Sequence, residues 1–119
     1  ERDGVQVVDD QVGSPTWARS VAEVIYAMIA RDRVSGTYHW TDGGQTSWYD
    51  FACAIQEEAL NLGKLDKPTA IRPVTSEEYP TVATRPAFSV LDCSATTAEF
   101  GVIQKPWRDN LRRMLGEIS

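Results

Sequence analysis

Three amphipathic helices, separated by only a few short β-branched segments, form the pattern that most constrains how this chain folds. The first apolar stripe at helical spacing covers residues 17–31. Ser47, with Asp50 three residues later, is typical of a capping box and precedes a second stripe over residues 48–62. A third stripe covers residues 107–118 and has its basic side chains after its acidic one, the order that the helix dipole favours.

Turn-forming residues predict where these elements begin and end. Ser14, followed by proline, is the predicted N-cap of the first helix. Gly63 is the predicted stop of the second helix, and Gly101 ends a short helix over residues 94–100. Four apolar segments are predicted as strands, at residues 5–8, 37–40, 70–72 and 88–91. The fold class is therefore mixed α/β with three main helices and three or four short strands, some of which we expect at the edge of a sheet that other chain supplies.

Length and charge exclude several classes of protein. The chain has 119 residues, 42% of them hydrophobic, which is enough for one domain with one core. It begins with Glu1 and not with methionine, so we expect its natural start to lie upstream. The longest apolar stretch, residues 21–30, is shorter than the roughly 20 residues that span a bilayer. A net charge of −5 disfavours a nucleic-acid partner.

Several kinds of catalytic or binding site are not indicated. His39 is the single histidine, so no Ser-His-Asp triad is present, and a structural role is the preferred interpretation. Cys53 and Cys93 lie far apart and are expected to be reduced, mostly buried thiols of a cytoplasmic protein. The Gly43-Gly44 pair lacks the third glycine and the lysine of a phosphate-binding loop. None of the four tyrosines is followed by lysine four residues later, so the Tyr-x-x-x-Lys pair is missing.

Two carboxylate pairs, Asp9-Asp10 and Glu57-Glu58, and the tryptophans also have structural interpretations. Glu57 and Glu58 are expected on the outer, solvated face of the second helix. Asp10 follows a predicted strand, where open α/β sheets place ligands, but hydrogen bonding to the local loop backbone is an equally good interpretation. Core packing is expected for three tryptophans on apolar helix faces, Trp17, Trp48 and Trp107, and Trp40 is the one expected to be partly exposed.

Arg85 lies in an irregular, proline-containing stretch over residues 79–87. Because Pro86 favours an extended conformation at Arg85, its guanidinium could grip a diphosphate or a carboxylate. A salt bridge that pins the loop is the alternative, and composition alone slightly favours it.

Four strings in order resemble the dTDP-4-dehydrorhamnose reductase family. They are VVDDQVGSPT at 7–16, GTYH at 36–39, GGQTSWYDFA at 43–52, and YPT with RPAFSVLD at 79–81 and 85–92. The resemblance extends over essentially the whole chain and includes the last helix. It implies the extended short-chain dehydrogenase fold, of Rossmann type, and a reaction that reduces dTDP-4-dehydro-L-rhamnose to dTDP-L-rhamnose with NADPH or NADH.

The resemblance also implies a division of labour. Residues 1–119 match the C-terminal sugar-nucleotide-binding lobe, whereas an absent N-terminal Rossmann portion would bind the nicotinamide and hold the catalytic Tyr and Lys. This chain is therefore expected to hold no cofactor and no catalytic residue, and to be inactive alone. Its expected partners are a dTDP-sugar nucleotide, the Rossmann portion and a second copy in a homodimer, with no nucleic acid and no membrane.

The family's substrate loop maps onto a defined set of residues here. Arg85 is expected near the diphosphate, and the other expected substrate contacts are Asp10, Gln11, Gly13, Ser14, Pro15 and Thr16. Some members bind a metal through glutamates near the C-terminus. Glu117 matches one of these, but Arg19 stands where the second is expected, so no metal is predicted.

Two alternatives stay open at this point. One is a non-catalytic interaction module, because the fold family includes a regulatory subunit of methionine adenosyltransferase. The other is a reductase or epimerase of a different deoxysugar nucleotide, since the residues that select the sugar could lie upstream.

Overall fold

The part of the chain that the structure describes contains four helices and four strands. The computed structural model describes residues 4–31, 34–79 and 81–118. The elements are β1 (Gly4–Val8), β2 (Val12–Gly13), α1 (Ala18–Ile29), β3 (Thr46–Ser47), α2 (Trp48–Asn61), β4 (Ala70–Val74), α3 (Ser94–Phe100) and α4 (Trp107–Glu117). The predicted mixed α/β fold, with three main helices and few short strands, is confirmed. No helix within these described ranges is long and apolar enough to cross a membrane.

The strands form two small sheets. β1 and β4 are parallel, with Val5 opposite Ile71 and Val7 opposite Pro73. Pro73 has no N–H to donate, and it is tolerated because β4 has a single strand neighbour in the described structure. β2 and β3 form a two-residue antiparallel pair that the sequence did not indicate. Because parallel strands end at the same edge, β1 and β4 deliver their following loops to one place.

The ends of the helices follow the predicted turn chemistry with one exception. Ser47 Oγ accepts a hydrogen bond from the Asp50 backbone N–H at 3.0 Å, which caps α2. Gly63 and Gly101 have φ values of +73° and +64°, the left-handed conformation expected after a helix. The N-cap predicted at Ser14 is wrong: α1 starts at Ala18, and Ser14 Oγ instead donates to the Gly44 carbonyl at 2.7 Å.

The core lies between α2 and α4. Ala54, Leu111 and Leu115 are buried there, and the half-buried residues packed against them are Phe51, Ile55, Trp107 and Met114. The Phe51 ring lies edge-on to Trp107 at a centroid distance of 5.8 Å and edge-on to Trp48 at 6.0 Å. Trp48 is nevertheless 38% exposed, so the prediction of full core packing for it is wrong: only part of its ring meets the core.

The prediction that Glu58 lies on the outer, solvated face of α2 is wrong. It is 4% exposed, because it lies seven residues after Phe51 and therefore on the same buried stripe of α2. Arg108 Nε is 2.9 Å from one Glu58 oxygen and Arg112 Nε is 3.1 Å from the other. Glu57, in contrast, is exposed and also pairs with Arg108. These ion pairs join α2 to α4.

Two predicted strands are absent. Residues 37–40 do not join a ladder, because the His39 carbonyl accepts a hydrogen bond from the Thr96 hydroxyl at 2.6 Å. His39 itself is exposed. Residues 88–91 contribute one isolated bridge, between Phe88 and Val12. Both cysteines are free, Cys93 buried and Cys53 half-buried, as predicted.

Candidate functional site

An open cleft of about 540 Å³ lies where the loops after β1 and β4 meet. Two elements border it: the start of α2 and the irregular stretch after residue 79. Its lining residues are Val8, Gln11, Trp48, Ser76, Glu77, Tyr79, Thr81, Ala83, Thr84 and Arg85. The carboxyl edge of parallel strands is a common place for ligands in α/β proteins, so this cleft is the candidate binding site.

Asp10 supports the cleft without lining it, because it is hydrogen-bonded to Ser76. Its two carboxylate oxygens accept from the Ser76 backbone N–H at 3.0 and 3.1 Å, and one also accepts from the Ser76 hydroxyl at 2.9 Å. These hydrogen bonds, the backbone one first, hold the pKa of Asp10 below its ordinary value. Asp10 therefore holds the turn after β4, 66 positions along the chain, and not the backbone of its own loop. The substrate contact expected of Asp10 stays a prediction.

The turn that follows β4 is fixed in the same manner. The Thr75 backbone N–H donates to a Glu78 carboxylate oxygen at 2.9 Å, and the Glu78 backbone N–H donates to the Thr75 hydroxyl at 3.2 Å. This is the reciprocal arrangement of a capping box. It presents Ser76 and Glu77 to the cleft on a rigid turn.

Gln11 and Arg85 are the two predicted site residues that line the cleft together, although they are 74 positions apart in the chain. Arg85 is exposed and forms no salt bridge with any residue in the described ranges. The loop-pinning alternative for Arg85 thus has no support within this part of the chain. Its five donors stay available to an anionic ligand.

The remaining predicted residues lie outside the cleft lining. Gly13 is buried, and a Cβ there would lie 3.0 Å from the Ser89 hydroxyl oxygen and 3.8 Å from the Trp48 ring. Ser14 lines a separate polar cleft of about 400 Å³. Pro15 and Thr16 line a small cavity of about 70 Å³ near the core. The substrate contacts expected of these four residues stay predictions.

Two aromatic side chains of the cleft were missed. The spacing of Trp48 matches the apolar stripe of α2 and therefore predicts a core position. Because Trp48 is the first residue of α2, it lies at the end of the helix and lines the cleft. Tyr79 is 51% exposed and begins the irregular stretch. Its position beside a proline-containing loop with Arg85 was the signal in the sequence. Exposed aromatic rings beside an arginine suit a ligand that has both a flat ring and an anionic group.

The paired glycines Gly43 and Gly44 form a turn against the start of α4. A Cβ on Gly43 would lie 3.2 Å from the Lys105 carbonyl oxygen, and one on Gly44 would lie 3.2 Å from the Trp107 ring. Gly44 has φ +84°, so this turn needs glycine for packing against the start of α4. The Trp107 ring occupies one side of Gly44, and the other side is exposed and borders the cleft of about 400 Å³ that Ser14 also lines.

Arg19 and Glu117, the positions compared with a metal site, form an ion pair. Arg19 Nη1 lies 3.1 and 3.0 Å from the two Glu117 carboxylate oxygens. The pair is about half exposed and joins α1 to α4. Within the described residues, no group of three His, Cys, Asp or Glu side chains could hold a metal ion.

Comparisons with known proteins agree on one family. The model of the RmlD substrate binding domain matches residues 1–119. The spore coat polysaccharide biosynthesis protein SpsK of Bacillus subtilis is 41% identical over 115 residues, which are 97% of this chain and 38% of that protein. The dTDP-4-dehydrorhamnose reductase of Aggregatibacter actinomycetemcomitans is 36% identical over 118 residues, covering 95% of this chain and 40% of that protein.

A solved structure gives the same result. The crystal structure of dTDP-4-dehydrorhamnose reductase from Bacillus anthracis, in complex with NADP, matches with a TM-score of 0.83 at 30% identity. The match covers 100% of this chain and 39% of that one. The chain therefore spans about 40% of the length of the relatives that it matches.

Proposed function

Because the chain belongs to the RmlD substrate binding domain family, we propose that it is the substrate-binding part of a dTDP-4-dehydrorhamnose reductase. The reaction is the reduction of dTDP-4-dehydro-L-rhamnose to dTDP-L-rhamnose with NADPH or NADH. One observation supports this assignment above the others: Gln11 and Arg85 share one cleft at the carboxyl edge of β1 and β4. The 36% identity with the dTDP-4-dehydrorhamnose reductase of Aggregatibacter actinomycetemcomitans, over 118 residues, supports the assignment as well.

The cleft residues divide the binding of a dTDP-sugar among them. Arg85 supplies a planar, permanently charged guanidinium for the diphosphate, where paired hydrogen bonds to phosphate oxygens are strongest. Gln11 has both donors and an acceptor for neutral groups of the sugar or the base. Trp48 and Tyr79 provide ring faces for flat or apolar parts of the ligand. Asp10 acts through Ser76 as a positioning residue and does not line the cleft.

We place the reductive chemistry in the rest of the natural protein. On this proposal residues 1–119 are the C-terminal lobe, and an N-terminal Rossmann portion binds the nicotinamide and donates the proton. Support comes from the missing Tyr-x-x-x-Lys pair and from the Gly43-Gly44 pair, which lacks the third glycine and the lysine of a phosphate-binding loop. The cytoplasm is the proposed compartment, in keeping with two free thiols. The homodimer stays a prediction that a sedimentation measurement would test.

A different deoxysugar nucleotide is the second candidate substrate. It is favoured by the 41% identity with SpsK, a protein named for spore coat polysaccharide biosynthesis. The same cleft would serve, because Arg85 meets the diphosphate that all such nucleotides share. The two candidates differ in the sugar alone.

The test is an assay of the intact natural protein with dTDP-4-dehydro-L-rhamnose and either NADPH or NADH, following nicotinamide oxidation. We expect turnover by the intact protein and none by residues 1–119 expressed alone. Turnover by residues 1–119 would contradict the placement of catalysis elsewhere. Turnover of another keto-sugar nucleotide by the intact protein, with none of this one, would establish the second candidate. No binding of any dTDP-sugar, with a protein partner co-purifying, would favour the interaction module.

A further inference from the structure

Glu77 and Arg85 are the two charged residues in the described lining of the cleft of about 540 Å³. Both are exposed, and neither forms a salt bridge with the other or with a further residue of the ranges 4–31, 34–79 and 81–118. Two opposite charges that no ion pair in these ranges neutralises therefore border the same open cleft. A ligand that suits both needs a negative group for Arg85 and hydrogen-bond donors for Glu77.

The turn after β4 holds the backbone of Glu77 from both sides. Before it, the Ser76 backbone N–H donates to the Asp10 carboxylate at 3.0 and 3.1 Å. After it, the Glu78 carboxylate accepts from the Thr75 backbone N–H at 2.9 Å and is thus used within the turn. The Glu77 side chain therefore extends from a fixed backbone position at the cleft. A rigid support of this kind is expected for a side chain that contacts a ligand.

The carboxylate of Glu77 restricts which part of a dTDP-sugar can lie against it. An ionised carboxylate only accepts hydrogen bonds, and its two oxygens suit a pair of neighbouring hydroxyl groups. The deoxyribose of a dTDP-sugar offers a single free hydroxyl and the thymine a single N–H, whereas the sugar offers several adjacent hydroxyls. The diphosphate is repelled by Glu77 and attracted by Arg85. The sugar is therefore the part of the ligand that fits Glu77.

We propose that Glu77 is a specificity-determining residue, whose carboxylate accepts hydrogen bonds from the sugar hydroxyls while Arg85 holds the diphosphate. This inference rests on the proposed function, because it requires a dTDP-sugar in this cleft. The two opposite charges fix the direction in which the ligand lies. They also disfavour a ligand that has negative charge in place of the sugar. The nucleotide dTDP is such a ligand, because its terminal phosphate is not esterified and gains a further negative charge near neutral pH.

The test is isothermal titration calorimetry of the intact natural protein and its Glu77→Gln variant with dTDP-L-rhamnose and with dTDP. Glutamine has nearly the same shape and keeps one acceptor oxygen, but it has no charge. We expect Kd for dTDP-L-rhamnose to rise roughly 5-fold, because hydrogen bonds to a charged acceptor become neutral ones. Kd for dTDP should instead fall, by up to roughly 5-fold at low ionic strength, because a repulsive charge is removed.

Changes of opposite sign separate sugar recognition from damage to the cleft, since a distorted cleft would bind both ligands more weakly. Asp66→Asn is the matched control, because it removes one exposed acidic charge outside the cleft lining and should leave both Kd values unchanged. The same change for both ligands in Glu77→Gln, or no change for dTDP-L-rhamnose, would overturn the role of Glu77 and leave the proposed function standing. Binding of neither ligand by the wild type would overturn the proposed function and this inference together.

Discussion

Asp10, two residues after β1, holds Ser76, two residues after β4, by three hydrogen bonds between 2.9 and 3.1 Å. The two strands are parallel neighbours, so this contact joins the two loops at the edge where both strands leave the sheet. Ser76 lines the candidate cleft while Asp10 supports it. The shape of the cleft thus depends on a residue that does not line it.

Asp10→Asn is expected to weaken binding of the dTDP-sugar to the intact protein. Asparagine keeps one acceptor oxygen and loses the charge, so Ser76 loses part of its support. Loss of one net hydrogen bond, about 1 kcal/mol, corresponds to roughly 5-fold in KM. The measurement is steady-state kinetics, with kcat largely retained. Asp9→Asn, at the exposed neighbouring position, is the control and should leave KM unchanged.

Glu58→Gln is expected to lower the free energy of unfolding. Glu58 is buried and joins α2 to two arginines of α4, and glutamine cannot form either charged pair. We expect a loss of about 1–3 kcal/mol in urea denaturation, because hydrogen bonds to charged groups are stronger than neutral ones. Glu57→Gln, at an exposed position beside it, should change stability by less than about 0.5 kcal/mol.

The contribution of Glu58 should also depend on pH. Hydrogen bonds from Arg112, and then from Arg108, hold the pKa of Glu58 below its ordinary value of 4.5. A lowered carboxyl pKa contributes stability that is fully present above the unfolded value and is lost as the pH falls through the folded value. The stability difference between wild type and Glu58→Gln should therefore be constant from pH 7 to about 5.5 and shrink below 4.5. A difference that grows on acidification would contradict this.

Gly44→Ala is expected to destabilise the protein. Gly44 has φ +84°, and an added Cβ would lie 3.2 Å from the Trp107 ring at the start of α4. The left-handed conformation alone costs a non-glycine residue about 1–2 kcal/mol. Gly116→Ala is the control, because no atom lies within 4 Å of a Cβ there and alanine favours the helix. Thermal unfolding should show a lower Tm for the first variant and an equal or higher Tm for the second.

Local chemistry made part of this fold predictable. Ser47, Gly63 and Gly101 mark helix ends because capping depends on the side chain or conformation of that one residue. Ser14 carries the same local signal, but the long-range hydrogen bond to the Gly44 carbonyl uses its hydroxyl instead. A partner 30 residues away cannot be deduced from local spacing.

The candidate site was predictable to a similar extent. Arg85 and Gln11 were identified from loop chemistry and family resemblance, and the structure brings them to one cleft. The exposure of Trp48 was not predicted, because helical periodicity shows which face of α2 is apolar but not whether other residues cover that face at the first turn. Glu58 was wrongly predicted to be solvated, because its partners Arg108 and Arg112 belong to another helix and the sequence of α2 alone does not indicate them.

Binding of dTDP-L-rhamnose to the intact protein, measured by isothermal titration calorimetry for wild type and Arg85→Ala, tests the central claim most directly. Loss of a charge-assisted hydrogen bond, about 1.5–3 kcal/mol, predicts a Kd roughly 10- to 150-fold weaker. Arg72→Ala is the matched control, because Arg72 is exposed on β4 outside the cleft and its replacement should leave Kd unchanged. Equal affinity of wild type and Arg85→Ala, or no binding by the wild type, would contradict the assignment of this cleft to the sugar nucleotide.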